Sequence, residues 1–184
     1  MELTRESLYR VRNIFLLMVM AIFAISITYS FMGYKKLKAD LDSAKTLKST
    51  TKLIDILSDV VQELQKERGM SAGYIGSGGM KFKDLLPKQR KKTDEAIQRA
   101  SKFLQEFDTD KLPYLSNEKI NEAFGVYLTQ LNVIRKKVDN LQIPLKEELA
   151  FYTNAINDLL DAIFTLSKIA PSPETERDIV AYGT

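Results

Sequence analysis

Apolar positions early in the chain recur at steps of three and four: Leu37, Leu41, Ala44, Leu47, Thr51, Ile54, Leu57, Val61 and Leu64. That is the spacing of one helix face. The next step of four lands on Arg68, so the pattern assigns an arginine to the inside of a bundle. A guanidinium keeps its proton there and needs a carboxylate or a bound anion. Toward the N-terminus the pattern runs back into residues 14–34, which carry no charge. As a helix these 21 residues would cover roughly 31 Å, the thickness of a bilayer's hydrocarbon core. Apart from Ser26, Thr28 and Ser30 it is apolar all round, so the segment reads as a membrane span rather than a buried core helix. The first helix is expected to continue from it to about residue 75, where Gly76-Ser77-Gly78-Gly79 breaks it.

Three further helical patterns follow. Gln89, Thr93, Ala96, Ile97, Ala100, Phe103, Leu104 and Phe107 form the second, with Pro87 in its first turn. Asp108-Thr109-Asp110-Lys111-Leu112-Pro113 reads as a loop. Ser116 is placed as the N-cap of a third helix, with Ile120, Phe124, Tyr127, Leu131, Ile134 and Val138 inward. Pro144 starts a fourth, with Leu145, Leu149, Tyr152, Ile156, Leu159, Ile163 and Leu166 inward. Pro171-Ser172-Pro173 ends it, and Ser172 is placed to cap a short fifth helix. No stretch alternates at strand spacing. The expected fold is all-α, an antiparallel helical bundle whose long first helix continues from an N-terminal transmembrane helix. Its loops are expected near 76–81, 108–116 and 140–144.

Composition removes several classes of function. The chain has no Cys and no His, hence no thiolate nucleophile, no zinc–thiolate site and no Ser-His-Asp triad. No metal site or cofactor is expected: Asp108 and Asp110 lack the further ligands of a calcium loop and read as a turn. No nucleophile with its base is visible, so an enzyme is not expected. Beyond residue 34 there are 24 basic and 22 acidic residues. That near balance argues against a nucleic-acid partner. Arg5, Arg10 and Arg12 precede the apolar segment and Lys35, Lys36 and Lys38 follow it, so the positive-inside rule is nearly tied. The short N-terminus, residues 1–13, is placed in the cytoplasm as the easier end to retain.

The candidate chemistry lies just past the first apolar stripe. Arg68 is either half of an internal ion pair with another helix or the contact for an anion. Gly69 and Gly73 have a small-x-x-x-small spacing that suits close packing or an exposed backbone at a ligand. Ser71 adds a hydroxyl. Most of the cluster formed by Gln89-Arg90 and Thr93-Asp94 with Lys88, Lys91 and Lys92 reads as a solvated face, as does Arg135-Lys136-Lys137. Tyr114, Tyr127, Phe151, Tyr152 and Phe164 read as core aromatics.

The segment Leu64-Gln65-Lys66-Glu67-Arg68-Gly69-Met70-Ser71-Ala72-Gly73-Tyr74 resembles the NIT domain, the nitrate- and nitrite-sensing helical domain of bacterial receptors. The glycine step at 76–79, Gln89-Arg90 with Thr93-Asp94, Phe151-Tyr152-Thr153 with Asn157 and Leu160, and Ala181-Tyr182 extend the likeness from about residue 40 to the end. The resemblance implies an all-helical, periplasmic sensor in front of a signalling region such as that of a chemotaxis receptor. It implies that arginines hold a small oxyanion between helices, which carries over to Arg68 first and Arg90 second. The likeness stops at Ala-Tyr, before a further segment that family members carry. On that ground the chain looks incomplete at its C-terminal end, and residues 35–184 are expected to bind nitrate weakly or not at all.

The function expected from this reading is anion sensing by a bacterial signal-transduction receptor. Nitrate, nitrite or a similar small anion is expected to bind between helices at Arg68, Gly69, Ser71 and Arg90, and a helix shift to pass through the membrane. Residues 1–13 are cytoplasmic, 14–34 span the inner membrane once, in contact with lipid, and 35–184 form the periplasmic sensory domain. A homodimer is expected, with a downstream signalling region on the same polypeptide in an intact receptor. The rival reading is a membrane-anchored helical interaction module without a small-molecule ligand, in which Arg68 is an internal ion pair.

Overall fold

In the computed structural model, which describes residues 5–106 and 117–169, every regular element is a helix. They are α1 (Arg5–Gly76), α2 (Leu86–Glu106), α3 (Asn117–Asp139) and α4 (Leu145–Ile169). The chain divides into two compact units, Met1–Lys45 and Thr46–Thr184. The loop expected at 108–116, the Ser116 cap, the Phe107, Tyr114, Ile120 and Phe124 side chains, the Pro171-Ser172-Pro173 stop and the short fifth helix lie outside what is described.

The first unit holds one long apolar helical stretch near the N-terminus, with a mean hydropathy of 2.3 and none of it buried. Phe15, Leu17, Ile22, Phe23, Ile27 and Phe31 point outward in every direction and are all exposed. Its hydroxyl at Thr28 donates to the Ala24 carbonyl at 2.8 Å, which satisfies it without water. A helix apolar all round, without a protein core against it, has the length and composition of a membrane span or a signal segment.

The second unit is a bundle with one apolar core. Leu53, Leu57, Val60, Val61 and Leu64 of α1 pack with Leu86, Ala96, Ile97 and Ala100 of α2, Leu131, Ile134 and Val138 of α3, and Tyr152, Ile156, Leu159 and Leu166 of α4. The seam on α1 reads Thr50, Leu53, Leu57, Val60, Leu64, Glu67, Ser71, all buried. Its steps alternate three and four, the average of 3.5 that keeps a helix facing its neighbours. This corrects the stripe read from sequence. Leu57, Val61 and Leu64 are buried as expected, but Leu37 and Leu41 are exposed and the stripe turns onto Glu67 rather than Arg68. On α4 the inward set is likewise corrected. Leu145 and Leu149 are exposed, as is Phe164, while Glu148 is fully buried. In both helices an acidic residue takes a place that hydrophobicity alone gives to a neighbour: the Glu67 charge is paired from other helices, whereas Glu148 has no partner on either oxygen.

Two tight connections pair the helices. After α1, the Gly79 N–H donates to the Tyr74 carbonyl at 2.9 Å and that of Gly78 to Ile75 at 3.0 Å. Both glycines have positive φ, the Schellman arrangement that satisfies the last carbonyls of a helix. After α3, Gln142 donates to Lys137 at 2.7 Å and Leu141 to Val138 at 3.0 Å. There the left-handed position is filled by Leu141, at φ 54°. The Pro144 carbonyl accepts from Glu147 and Glu148 and opens α4. α1 with α2 and α3 with α4 run antiparallel: Gln89 meets Glu63 and Arg99 meets Asp59, and Lys137 meets Glu147 while Tyr127 meets Asp158.

Gly69 and Gly73 of α1 have different roles. A Cβ on Gly73 would sit 2.5 Å from Phe82 Cε2 and 2.8 Å from Cδ2, whereas one on Gly69 meets nothing within 4 Å. Only Gly73 is a close-packing position. Gly73→Ala is expected to destabilise the bundle by about 1–2 kcal/mol, overpacking outweighing the gain in helix propensity. Gly69→Ala is expected to stabilise it by about 0.5–1 kcal/mol. Urea unfolding followed by circular dichroism distinguishes the two; equal effects would contradict this assignment.

Candidate functional site

Glu67 lies in the middle of the bundle with 0% of its surface exposed. All four helices meet at its carboxylate. From α3, Arg135 Nε donates to Oε1 at 2.7 Å and a terminal nitrogen donates to Oε2 at 2.8 Å. That is the two-pronged pairing a planar guanidinium makes best. From α4, the Tyr152 hydroxyl donates to Oε1 at 2.8 Å. From α2, Arg90 Nε stands 3.8 Å from Oε1. Burial alone pushes the Glu67 carboxyl up. The hydrogen bonds and charge of Arg135, helped by Thr93 and Tyr152, outweigh it and hold the group below its ordinary value. Burial and then the Glu67 charge push the Tyr152 phenol far up, so it stays a donor.

The arginines are themselves held. Arg135 donates its remaining nitrogen to Asp94 Oδ1 at 2.6 Å. Arg90 donates to both Asp139 oxygens, at 2.7 and 2.9 Å, and to the Arg135 carbonyl at 3.4 Å. The next layer is Gln89, which donates to Glu63 Oε2 at 2.5 Å, with the Thr93 hydroxyl donating to the Gln89 carbonyl at 3.2 Å. Gln89 and Thr93 are buried, as their place in the second helical pattern led one to expect, and Lys88, Lys91, Lys92 and Lys136 are exposed. The solvated-face reading is corrected at Arg135, which is buried, and at Arg90, which is largely covered.

Beside this closed network lies an open one, between α1 and α4. Arg68 is half-buried and its guanidinium donates one hydrogen bond, to Thr153 Oγ1 at 3.2 Å. Among the described residues no carboxylate stands within ion-pair distance of it. Ser71 Oγ is buried and completes no hydrogen bond, although it lies close enough to favour ionisation of the Tyr152 phenol. Glu148 is fully buried and neither of its oxygens has a partner. Burial pushes its carboxyl up to about 7, the Arg68 charge pulling against this and the Glu67 charge adding to it. Buried polar atoms without partners are uncommon in folded proteins and mark places where something is bound or exchanged.

Of the four site residues expected from sequence, Arg68 and Ser71 come together on this α1–α4 face. Gly69 follows on the exposed side of α1, its N–H inside the helix ladder. Arg90 is engaged with Asp139 and Glu67. Sequence reasoning missed Glu67, Arg135 and Glu148. The signal was present: Glu67 is three after Leu64, Arg135 falls between Leu131 and Val138 at steps of four and three, and Glu148 is four before Tyr152. Charges at stripe positions on three helices are the mark of an internal network. Among the described residues no group of side chains could hold a metal ion.

No curated protein and no solved structure matches this chain. A family model described as nitrate and nitrite sensing matches residues 59–184. It begins later than the expected residue 40, close to where the core residues of α1 become continuous. It takes in the Arg68 motif, the Glu67 network and the α1–α4 face. With more than half of its length matched, the chain belongs to the nitrate and nitrite sensing (NIT) domain family, a sensing module of signalling receptors rather than a catalytic one.

Proposed function

We propose that this chain is the ligand-sensing region of a bacterial membrane receptor and that it binds nitrate or nitrite through Arg68. The observation that carries the reading is the Arg68 guanidinium, half-buried, with one bond spent on Thr153 and its other donors unspent. Nitrate is flat and singly charged. One guanidinium offers it two parallel N–H···O bonds, and the unpartnered Ser71 hydroxyl and Thr153 lie on the same face. Gly69 leaves open space beside the arginine. Arg90 acts through Glu67, which it helps to neutralise. In this reading residues 1–13 are cytoplasmic, 14–34 span the inner membrane in contact with lipid, and 35–184 are periplasmic. The receptor works as a homodimer, of the kind found in chemotaxis, and an intact one carries its signalling region on the same polypeptide. Because α1 holds both the apolar stretch and Arg68, closing the α1–α4 face on an anion would move the helix that enters the membrane.

Arg68→Ala is expected to weaken nitrate binding ten- to a hundredfold, the worth of a charge-assisted hydrogen bond of about 1.5–3 kcal/mol. Arg68→Lys is expected to do nearly as much harm, since it keeps the charge and loses the fork. Nitrate-dependent amide shifts of the full chain in detergent measure this. Folded variants that bind as the parent does would leave the interaction-module reading.

A further inference from the structure

A buried carboxylate beside an anion site is a contradiction unless it carries a proton. Glu148 is that group. It is fully buried, both its oxygens lack partners, and its strongest charged neighbours are Arg68, which would hold the anion, and Glu67. We propose that Glu148 is the proton-carrying half of the anion site: as the neutral acid it turns an O–H toward the oxyanion held by Arg68, so that the anion and one proton from solvent are taken up together. The inference rests on the reading of Arg68 given above and adds to it a second donor from the facing helix.

The surroundings of Glu148 favour this arrangement. On α1, Arg68 attracts its negative form and Glu67 repels it. Arg135 on α3 and Arg90 on α2 are ion-paired with Glu67, Asp94 and Asp139, although Arg90 Nε completes no hydrogen bond. Tyr152, on its own helix, gives its proton to Glu67. Glu148 therefore has Arg68 as its one uncommitted cation among the described residues. When an anion occupies that guanidinium, the last charge favouring ionised Glu148 is cancelled, and the carboxyl holds its proton more tightly. With the free carboxyl already near 7, proton and anion become linked at ordinary pH. A neutral carboxylic acid kept so by its environment is a good hydrogen-bond donor. The sensor would then report nitrate more strongly in acid surroundings.

The test is a titration of the full chain in detergent with sodium nitrate, against sodium chloride as the ionic-strength control, from about pH 6 to about pH 8.5. Amide shifts read the dissociation constant and the labelled Glu148 side-chain carbonyl reads its protonation. The expected result is a constant affinity below about pH 7 and a loss approaching tenfold per pH unit above it. Saturating nitrate should also hold the Glu148 proton to higher pH by a unit or more. Glu148→Gln, which keeps a donor without a charge, should bind with no such pH dependence and at least tenfold tighter than the parent at the alkaline end. An ionised Glu148 throughout, or the same pH-independent affinity in parent and Glu148→Gln, overturns the inference and leaves Arg68 as the anion contact. Absence of nitrate-specific shifts at any pH overturns both.

Discussion

Arg135→Ala is expected to be the most damaging single substitution in the bundle, costing about 3–5 kcal/mol, the usual penalty for leaving a buried charge unpaired. Glu67 would keep its place at the centre with Thr93, Tyr152 at 2.8 Å and the distant Arg90 Nε at 3.8 Å, and no close cation. Asp94 would lose its partner too, but it is half-exposed and water replaces the loss. The loss is large relative to the 5–15 kcal/mol of a typical domain, so the variant is expected to be partly unfolded. Removing both charges in Glu67→Gln with Arg135→Met should recover much of the stability, since a buried pair is worth little against well-packed neutral side chains. Urea unfolding of the three forms would show this. If Arg135→Ala unfolds at nearly the parent's midpoint, the Glu67 carboxylate is not held by this pair.

The second large effect belongs to Glu148 and appears as a change of stability with pH. In the unfolded chain its carboxyl releases a proton near 4.5; in the folded chain it holds on to about 7. Between those values the folded state binds more protons than the unfolded one, so stability falls as pH rises through this window and levels off above it. The full drop is on the order of 3 kcal/mol. Glu148→Gln lacks the titration. It should match the parent near pH 4.5, exceed it progressively up to about pH 7 and stay ahead by a constant amount above that. Glu67 has the opposite habit, with a lowered carboxyl whose stabilisation is present above its ordinary 4.5 and lost as pH falls through its folded value. It is common to both proteins, so the difference between their unfolding curves isolates Glu148. A constant difference from pH 4.5 to 8 would mean that Glu148 is ionised in the folded bundle.

The existence and order of the helices were legible in the chain itself. Spacing of three and four marked each one, Gly76 to Gly79 ended the first, Pro87 and Pro144 marked the starts of α2 and α4, and an uncharged run of bilayer length set the apolar end apart. These are local properties, decided by backbone entropy, missing N–H groups and the burial of apolar surface. The motif around Arg68 was legible too, and with it the family. What the sequence could not supply was the facing of each helix to within one residue. Leu64 can be followed by Glu67 or by Arg68 on equal geometric terms, and hydrophobicity prefers neither. The choice was made by α3 and α4, which bring Arg135 and Tyr152 to 2.7 and 2.8 Å from the Glu67 carboxylate. That ion pair, formed across 68 residues of chain, compensates a burial that no local rule would allow. The same rotation carried Arg68 to the half-exposed edge and set Glu148 beside it without a partner. Tertiary structure alone separated a filled charge network from an unfilled one, because only the meeting of four helices decides which buried charges already have their counterions.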